Sequence, residues 1–129
     1  MKHPCNPDTT YLDNFFSMDG GGIMRMTAEN GGAFLDDFLP GLGSSLPAGI
    51  DLVIPHQPSG VALDYLTTVH NWEKDRIERT LSEVGNCVSA SIPLTLYQAW
   101  KKGKLVRGKK ILLCGTGAGY TMGAAVFTV

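Results

Sequence analysis

Three places in this chain carry residues that could do chemistry: His56 at the end of an apolar run, Asn86 among small residues, and the glycine-rich Gly115-Thr116-Gly117-Ala118-Gly119. His56 follows Leu52-Val53-Ile54-Pro55, whose consecutive apolar side chains suit a strand buried on both faces. Proline has no N–H to give to a ladder, so the strand is expected to stop at Pro55. The imidazole is then left at its carboxyl end, where open α/β sheets bind ligands. A local role, satisfying nearby backbone groups, is the alternative for a single histidine. The glycine run follows the apolar Ile111–Cys114, which invites a dinucleotide-binding reading. That loop must open a helix and be followed about 20 residues later by an acid. Here ten strand-forming residues, Tyr120 to Val129, end the chain, so the run reads as a strand-to-strand turn. Its uncovered N–H groups make either an ordinary hairpin or an oxyanion hole. Cys5, Cys87 and Cys114 are odd in number and widely spaced, with no C-x-x-C and no Cys/His cluster. Free thiols and no metal site are expected.

The elements that must position these residues follow from periodicity and punctuation. Residues 1–14 read as a loop or tail, and Phe15–Met18 as a short strand running into a turn at Asp19 and Gly20–Gly22. Ile23, Met26, Phe34, Leu35, Phe38 and Leu39 predict an irregular helix, with Asn30-Gly31-Gly32 inside it at about 1 kcal/mol per glycine. Pro40–Gly49 connects back to the strand before His56. Val61, Ala62, Tyr65, Leu66 and Val69 predict a helix capped by Ser59, and Asn71 can cap a second helical stretch carrying Ile77, Leu81 and Val84. Gly85 ends that stretch. Pro93 belongs in the first turn of a helix that continues through Leu94, Tyr97, Gln98 and Trp100 to Gly103.

At 129 residues, 43% hydrophobic and 18% charged, the chain has the size and composition of one globular domain. A net charge of -1 argues against a general nucleic-acid binder. No apolar run reaches the roughly 18 residues of a membrane helix, and the N-terminus lacks a signal-peptide pattern, so a cytoplasmic protein is expected. Six of the 11 positive charges lie between Lys101 and Lys110. They read as a solvated helix end favoured by the helix dipole, or as a surface for an acidic partner.

Three segments in fixed order, Ile54-Pro55-His56-Gln57, Val84-Gly85-Asn86-Cys87-Val88-Ser89-Ala90-Ser91 and Gly115-Thr116-Gly117-Ala118-Gly119-Tyr120-Thr121-Met122-Gly123, resemble the C-terminal half of β-ketoacyl-acyl-carrier-protein synthase III. The resemblance covers roughly Phe15 to Val129. It implies an α/β fold, one half of a thiolase-like architecture with a mixed sheet of about five strands and helices packed on it. It also implies a short strand near Ile77–Thr80 in place of the helical periodicity there. By the same resemblance His56 and Asn86 are catalytic, the backbone N–H at Ala118 contributes to an oxyanion hole, and Gly20, Met24, Arg25, Pro58 and Ser59 bind substrate. The implied reaction takes an acyl group from acyl-CoA and condenses it with malonyl-acyl-carrier protein, with no cofactor. Loss of CO2 from a malonyl thioester leaves negative charge on its oxygen, and two neutral N–H donors can hold that enolate without quenching it.

The family's nucleophilic cysteine lies in the N-terminal half of a longer chain, and none of the three cysteines matches it. Residues 15–129 therefore read as a half-domain whose partners are an N-terminal half or second chain carrying that cysteine, the acyl-carrier protein, and a second copy in a homodimer. The helix after His56 lacks the basic residues that help to dock the carrier, having Val61, Asp64 and Thr68, while Arg25 keeps one positive charge near the entrance. The alternatives are a condensing enzyme of secondary metabolism and a non-catalytic half-domain that binds acyl-CoA or a partner chain.

Overall fold

Four apolar residues in succession, all buried, make the strand β1 (Leu52–Pro55), which is hydrogen-bonded on both edges. The structure, a computed structural model, describes residues 7–14, 17–46 and 49–129. On one edge β1 runs parallel to β2 (Lys110–Gly117), in register from Leu52↔Ile111 to Pro55↔Cys114. On the other, Val53 forms a single parallel bridge with Ile77, and the Val53 carbonyl accepts the Glu78 N–H at 2.9 Å. The strand ends at Pro55 as expected, with one further bond to β2 just beyond it, His56 N–H donating to the Cys114 carbonyl at 2.8 Å. Alternate strand residues address alternate edges, so the Pro55 nitrogen, in phase with Val53, faces away from β2 and no β1–β2 bond is lost.

From β2 the chain turns through Ala118, Gly119 and Tyr120 into the antiparallel β3 (Thr121–Thr128). Gly119 and Tyr120 hold positive φ of 72° and 50°. The expected hairpin is present, but β2 extends through Gly115–Gly117 instead of ending at Cys114, and β3 begins at Thr121. Among the described residues the sheet has three strands, in the order β1-β2-β3, where about five were expected. Of the two others, Phe15 and Phe16 lie outside the described residues and Ser17 and Met18 are not in a strand. The Ile77–Thr80 segment, helical by periodicity and a strand by the family resemblance, forms neither beyond the single Ile77 bridge. A single 3-10 turn at Lys74–Arg76 leads to the Ile77 bridge and then to a one-turn helix, Leu81–Val84.

Four α-helices are described: α1 (Gly20–Phe38), α2 (Gly60–Val69), α3 (Leu81–Val84) and α4 (Ser91–Lys101). Gly20–Gly22 are the first turn of α1 and not a turn after a strand, because the Asp19 carboxylate accepts the Gly22 N–H at 2.8 Å and caps the helix. Nor does Asn30-Gly31-Gly32 break α1. Asn30 bonds back to the Met26 carbonyl at 2.9 Å, and the following loop crosses close to Gly32 because Gly43 has no side chain. A Cβ on Gly43 of that loop would sit 2.4 Å from the Gly32 carbonyl oxygen. The loop is pinned from the other side by His70 Nδ1, 2.6 Å from the Gly43 carbonyl, and by Trp72 Nε1–H, which donates to the Leu42 carbonyl at 3.0 Å. Ser59 caps α2 as expected, accepting the Ala62 N–H at 3.2 Å. Asn71 caps no helix; it takes a left-handed conformation just after α2 (φ 49°).

Alternating side chains of the sheet feed two cores. Val53, Leu112 and Cys114 pack with Leu35 of α1, Leu42, Leu46, Trp72 and Ile77, whereas Leu52, Ile54 and Ile111 pack with Ala99 and Ile92 of α4. The result is helix, sheet, helix. Leu112 is fully buried, so Leu112→Ala is expected to lower unfolding free energy by about 2–5 kcal/mol in a denaturant titration. Val61→Ala, at a position 74% exposed, should stay within about 0.5 kcal/mol.

Candidate active site

Where β1 ends, His56 is turned by its neighbours into a cleft of about 1460 Å³. Its Cβ packs on β2 so closely that a Cβ on Gly115 would meet it at 2.8 Å, and Ile92 of α4 at 3.4 Å. Gly115 is thus required by the histidine and not by a turn. The imidazole is half-buried, and burial lowers its pKa from the usual histidine value, so the neutral ring is favoured at pH 7.

Asn86 reaches the same cleft from the other arm of the chain. Gly85, with φ 70° and ψ -167°, ends α3 in a conformation open essentially to glycine alone and swings the chain into Asn86. The Asn86 carbonyl oxygen accepts the Val88 N–H at 2.9 Å and the Ser91 hydroxyl at 3.4 Å. This orients the amide, whose nitrogen donates to the Pro58 carbonyl at 3.3 Å. That nitrogen carries a second N–H besides the one bonded to Pro58. Val88 pays for the geometry with φ 52°, a strained position for a β-branched residue.

His56, Asn86 and the Gly115–Gly119 segment with Ala118 all line the one cleft, as do Gly20, Met24, Pro58 and Ser59. Arg25 lies exposed on α1 and is not among the lining residues. The Ser59 hydroxyl is occupied in capping α2. Cys114 lines the cleft too, but burial pushes its thiol up to about 12, so it is not a thiolate at neutral pH. Cys87 is half-buried with its thiol directed to the Val84 carbonyl at 3.3 Å, and Cys5 lies outside the described residues. Among the described residues no group of three or more His, Cys, Asp or Glu gathers as a metal site, and no helix is long and apolar enough to cross a membrane.

Two features escaped the sequence. Gln57, beside the histidine, is fully buried, and nothing in the residue order distinguished it from a loop polar residue. The basic run is divided: Lys102 bonds Glu78 at 3.0 Å and Glu83 at 3.1 Å, and Lys104 also reaches Glu78, whose carboxylate is buried. These bonds raise the Lys102 pKa, and that part of the run anchors the end of α4 internally.

A mixed sheet flanked by helices, with a histidine at a strand end facing an asparagine arm and a backbone turn, defines one half of a thiolase-like fold. Residues 45–129 match the family described as 3-oxoacyl-[acyl-carrier-protein (ACP)] synthase III C terminal, and the chain belongs to that family. It is similar to the β-ketoacyl-[acyl-carrier-protein] synthase III of Sphingopyxis alaskensis, with 32% identity over 123 residues, 95% of this chain and 38% of the relative. The corresponding protein of Campylobacter fetus subsp. fetus is 31% identical over 127 residues, 98% of this chain and 38% of the relative. Among solved structures, the synthase III of Thermus thermophilus superposes with a TM-score of 0.79 at 29% identity, covering 98% of this chain and 39% of that one. That of Aquifex aeolicus VF5 gives 0.78 at 30%, covering 89% and 37%. The chain therefore spans under two fifths of the length of these relatives.

Two substitutions test the local geometry. Gly115→Ala forces His56 or β2 to move, and a loss of about 1–3 kcal/mol is expected in thermal or denaturant unfolding. Val88→Asn, which tolerates the left-handed region, should instead stabilise by about 1 kcal/mol.

Proposed function

We propose that this chain is the C-terminal half of a decarboxylating condensing enzyme of fatty acid biosynthesis, joining an acyl group from acyl-CoA to malonyl-acyl-carrier protein to give a 3-oxoacyl thioester. The observation that carries the reading is the pairing, in one cleft, of a half-buried neutral imidazole with an asparagine amide whose orientation is fixed by Val88 and Ser91. When the malonyl carboxylate leaves as CO2, its electron pair passes into the enolate and charge collects on the thioester oxygen. An imidazole N–H and an amide N–H stabilise that charge, while neither is acidic enough to protonate the carbon. The enolate carbon then attacks the acyl thioester, whose carbonyl oxygen takes up charge opposite the N–H at Ala118; the C–C bond forms, and as the intermediate collapses the acyl C–S bond breaks and the cysteine thiolate that had carried the acyl group leaves.

That thiolate belongs, in this reading, to an N-terminal half supplied in cis or as a second chain. Cys114 does not serve, being a buried neutral thiol. Gly20, Met24, Pro58 and Ser59 flank the path of the acyl-CoA, and Arg25, exposed on α1, offers a positive charge to the acidic carrier. The complete protein acts as a cytoplasmic homodimer without a cofactor.

With the N-terminal half supplied, His56→Ala or Asn86→Ala should each slow CO2 release about 10²- to 10³-fold, the typical cost of one such donor. Acyl loading onto the partner's cysteine should be far less affected. Ala118→Pro, which deletes the N–H, should impair loading instead. Radiolabelled acyl transfer and CO2 release, assayed separately, check this; equal losses of both steps in the first two variants contradict it.

A further inference from the structure

The amide of Gln57 is fully buried and bonded three ways. Its nitrogen donates to the Pro55 carbonyl at 3.0 Å and to the Glu78 carbonyl at 3.2 Å, and its oxygen accepts the Thr80 N–H at 3.1 Å. Both donors and the acceptor of the side chain face protein groups, so the amide has no freedom to flip. One of these bonds acts directly on the histidine. The peptide unit joining Pro55 to His56 is held at its carbonyl by Gln57 and at its N–H by the Cys114 carbonyl, 2.8 Å away, so the direction in which the imidazole leaves the backbone is fixed at both ends.

The other two bonds reach the arm that carries Asn86. Thr80 starts α3, its carbonyl accepting the Glu83 N–H at 2.9 Å, and Asn86 follows two residues after α3 ends. The Thr80 hydroxyl continues the network to Thr95 of α4 at 2.7 Å, and both are fully buried. Pro58, next after Gln57, closes the ring through its carbonyl and the Asn86 amide. The two arms therefore meet through the side chain of Gln57 and again through the Asn86 amide.

We propose that Gln57 is the positioning residue of the site: its buried amide sets the separation and mutual orientation of the His56 imidazole and the Asn86 amide. The inference rests on the reading of that pair as the working groups, but its test needs no turnover. A side chain of similar volume without the amide leaves two carbonyls and one N–H buried and unpaired. The arms can then relax only by moving apart.

The experiment is NMR of the whole chain carrying Gln57→Met, or Gln57→Asn, which keeps the amide but is one methylene too short. Each is compared with Leu112→Ala, destabilised without touching the network. At a temperature where all are folded, exchange of the His56 and Thr80 backbone amides is expected to accelerate at least 10-fold relative to Leu112→Ala. The Asn86 side-chain amide and His56 ring signals should shift in the Gln57 variants and stay in place in Leu112→Ala. A folded Gln57 variant whose His56 and Asn86 signals are unchanged overturns the proposal. If neither variant folds, couplings across the hydrogen bonds from the Gln57 NH2 to the Pro55 and Glu78 carbonyls decide in the unmodified chain: detection supports the proposal and absence overturns it.

Discussion

Everything in this chain that could do chemistry depends on β1 being a strand with no free side. Its four residues are buried on both faces and its backbone is bonded to β2 on one edge and to the Ile77–Glu78 segment on the other. A strand held in this way cannot slip by one residue, since a slip would exchange the set facing α1 with the set facing α4. The carboxyl end is therefore a fixed point from which to project a side chain. His56 takes that position, and Gly115 is the complementary concession on β2, a residue without a Cβ where the imidazole stem passes.

The polar interior is arranged around the same point. Gln57, Thr80, Thr95 and Glu78 are all buried, and each has named partners. Buried polar groups are costly when unpaired and rigid when fully paired, so the network trades stability for a defined geometry. Glu78 shows the balance most sharply: its carboxylate lies in the interior while two lysines of the α4 end, each more than a third exposed, reach in to neutralise it. That pair of contacts joins the edge segment beside β1 to the far end of α4, and the Thr80 to Thr95 bond joins it nearer the start. The histidine arm, the asparagine arm and α4 move as one unit on this account.

How far the residues announced this differs from place to place. The buried strand, the cap at Ser59, the turn at Gly85, the proline in the first turn of α4 and the β2–β3 hairpin were all legible, because each follows from local pattern or backbone chemistry. That His56, Asn86 and Ala118 belong together was implied by the family resemblance that three motifs carry, and all three line one cleft. What was not legible is tertiary. Asn30-Gly31-Gly32 predicted an irregular helix, whereas α1 is continuous, and the close crossing at Gly32 is allowed by Gly43, 11 positions further on. Ile77–Thr80 has both helical spacing and strand composition, and a single bridge to Val53 decides its path. Lys102 and Lys104 looked like solvent charges because their partner Glu78 is 24 and 26 positions distant. The expectation of about five strands, taken from the family, exceeds the three described.

In this reading His56 is a neutral donor at working pH, held so by partial burial, which disfavours the charged ring. The folded state then binds fewer protons than the unfolded one around the ordinary histidine pKa of about 6.5. The resulting contribution to stability is present above that value and is lost as pH falls through the lower, folded-state value. Titration of the His56 ring signals by NMR in the whole chain reads this directly. A midpoint below 6.5, with the neutral ring dominant at pH 7, is the predicted result. A midpoint above 7 would mean that a charged imidazole faces the cleft at neutral pH, and would contradict the reading of His56 as a neutral donor to an enolate.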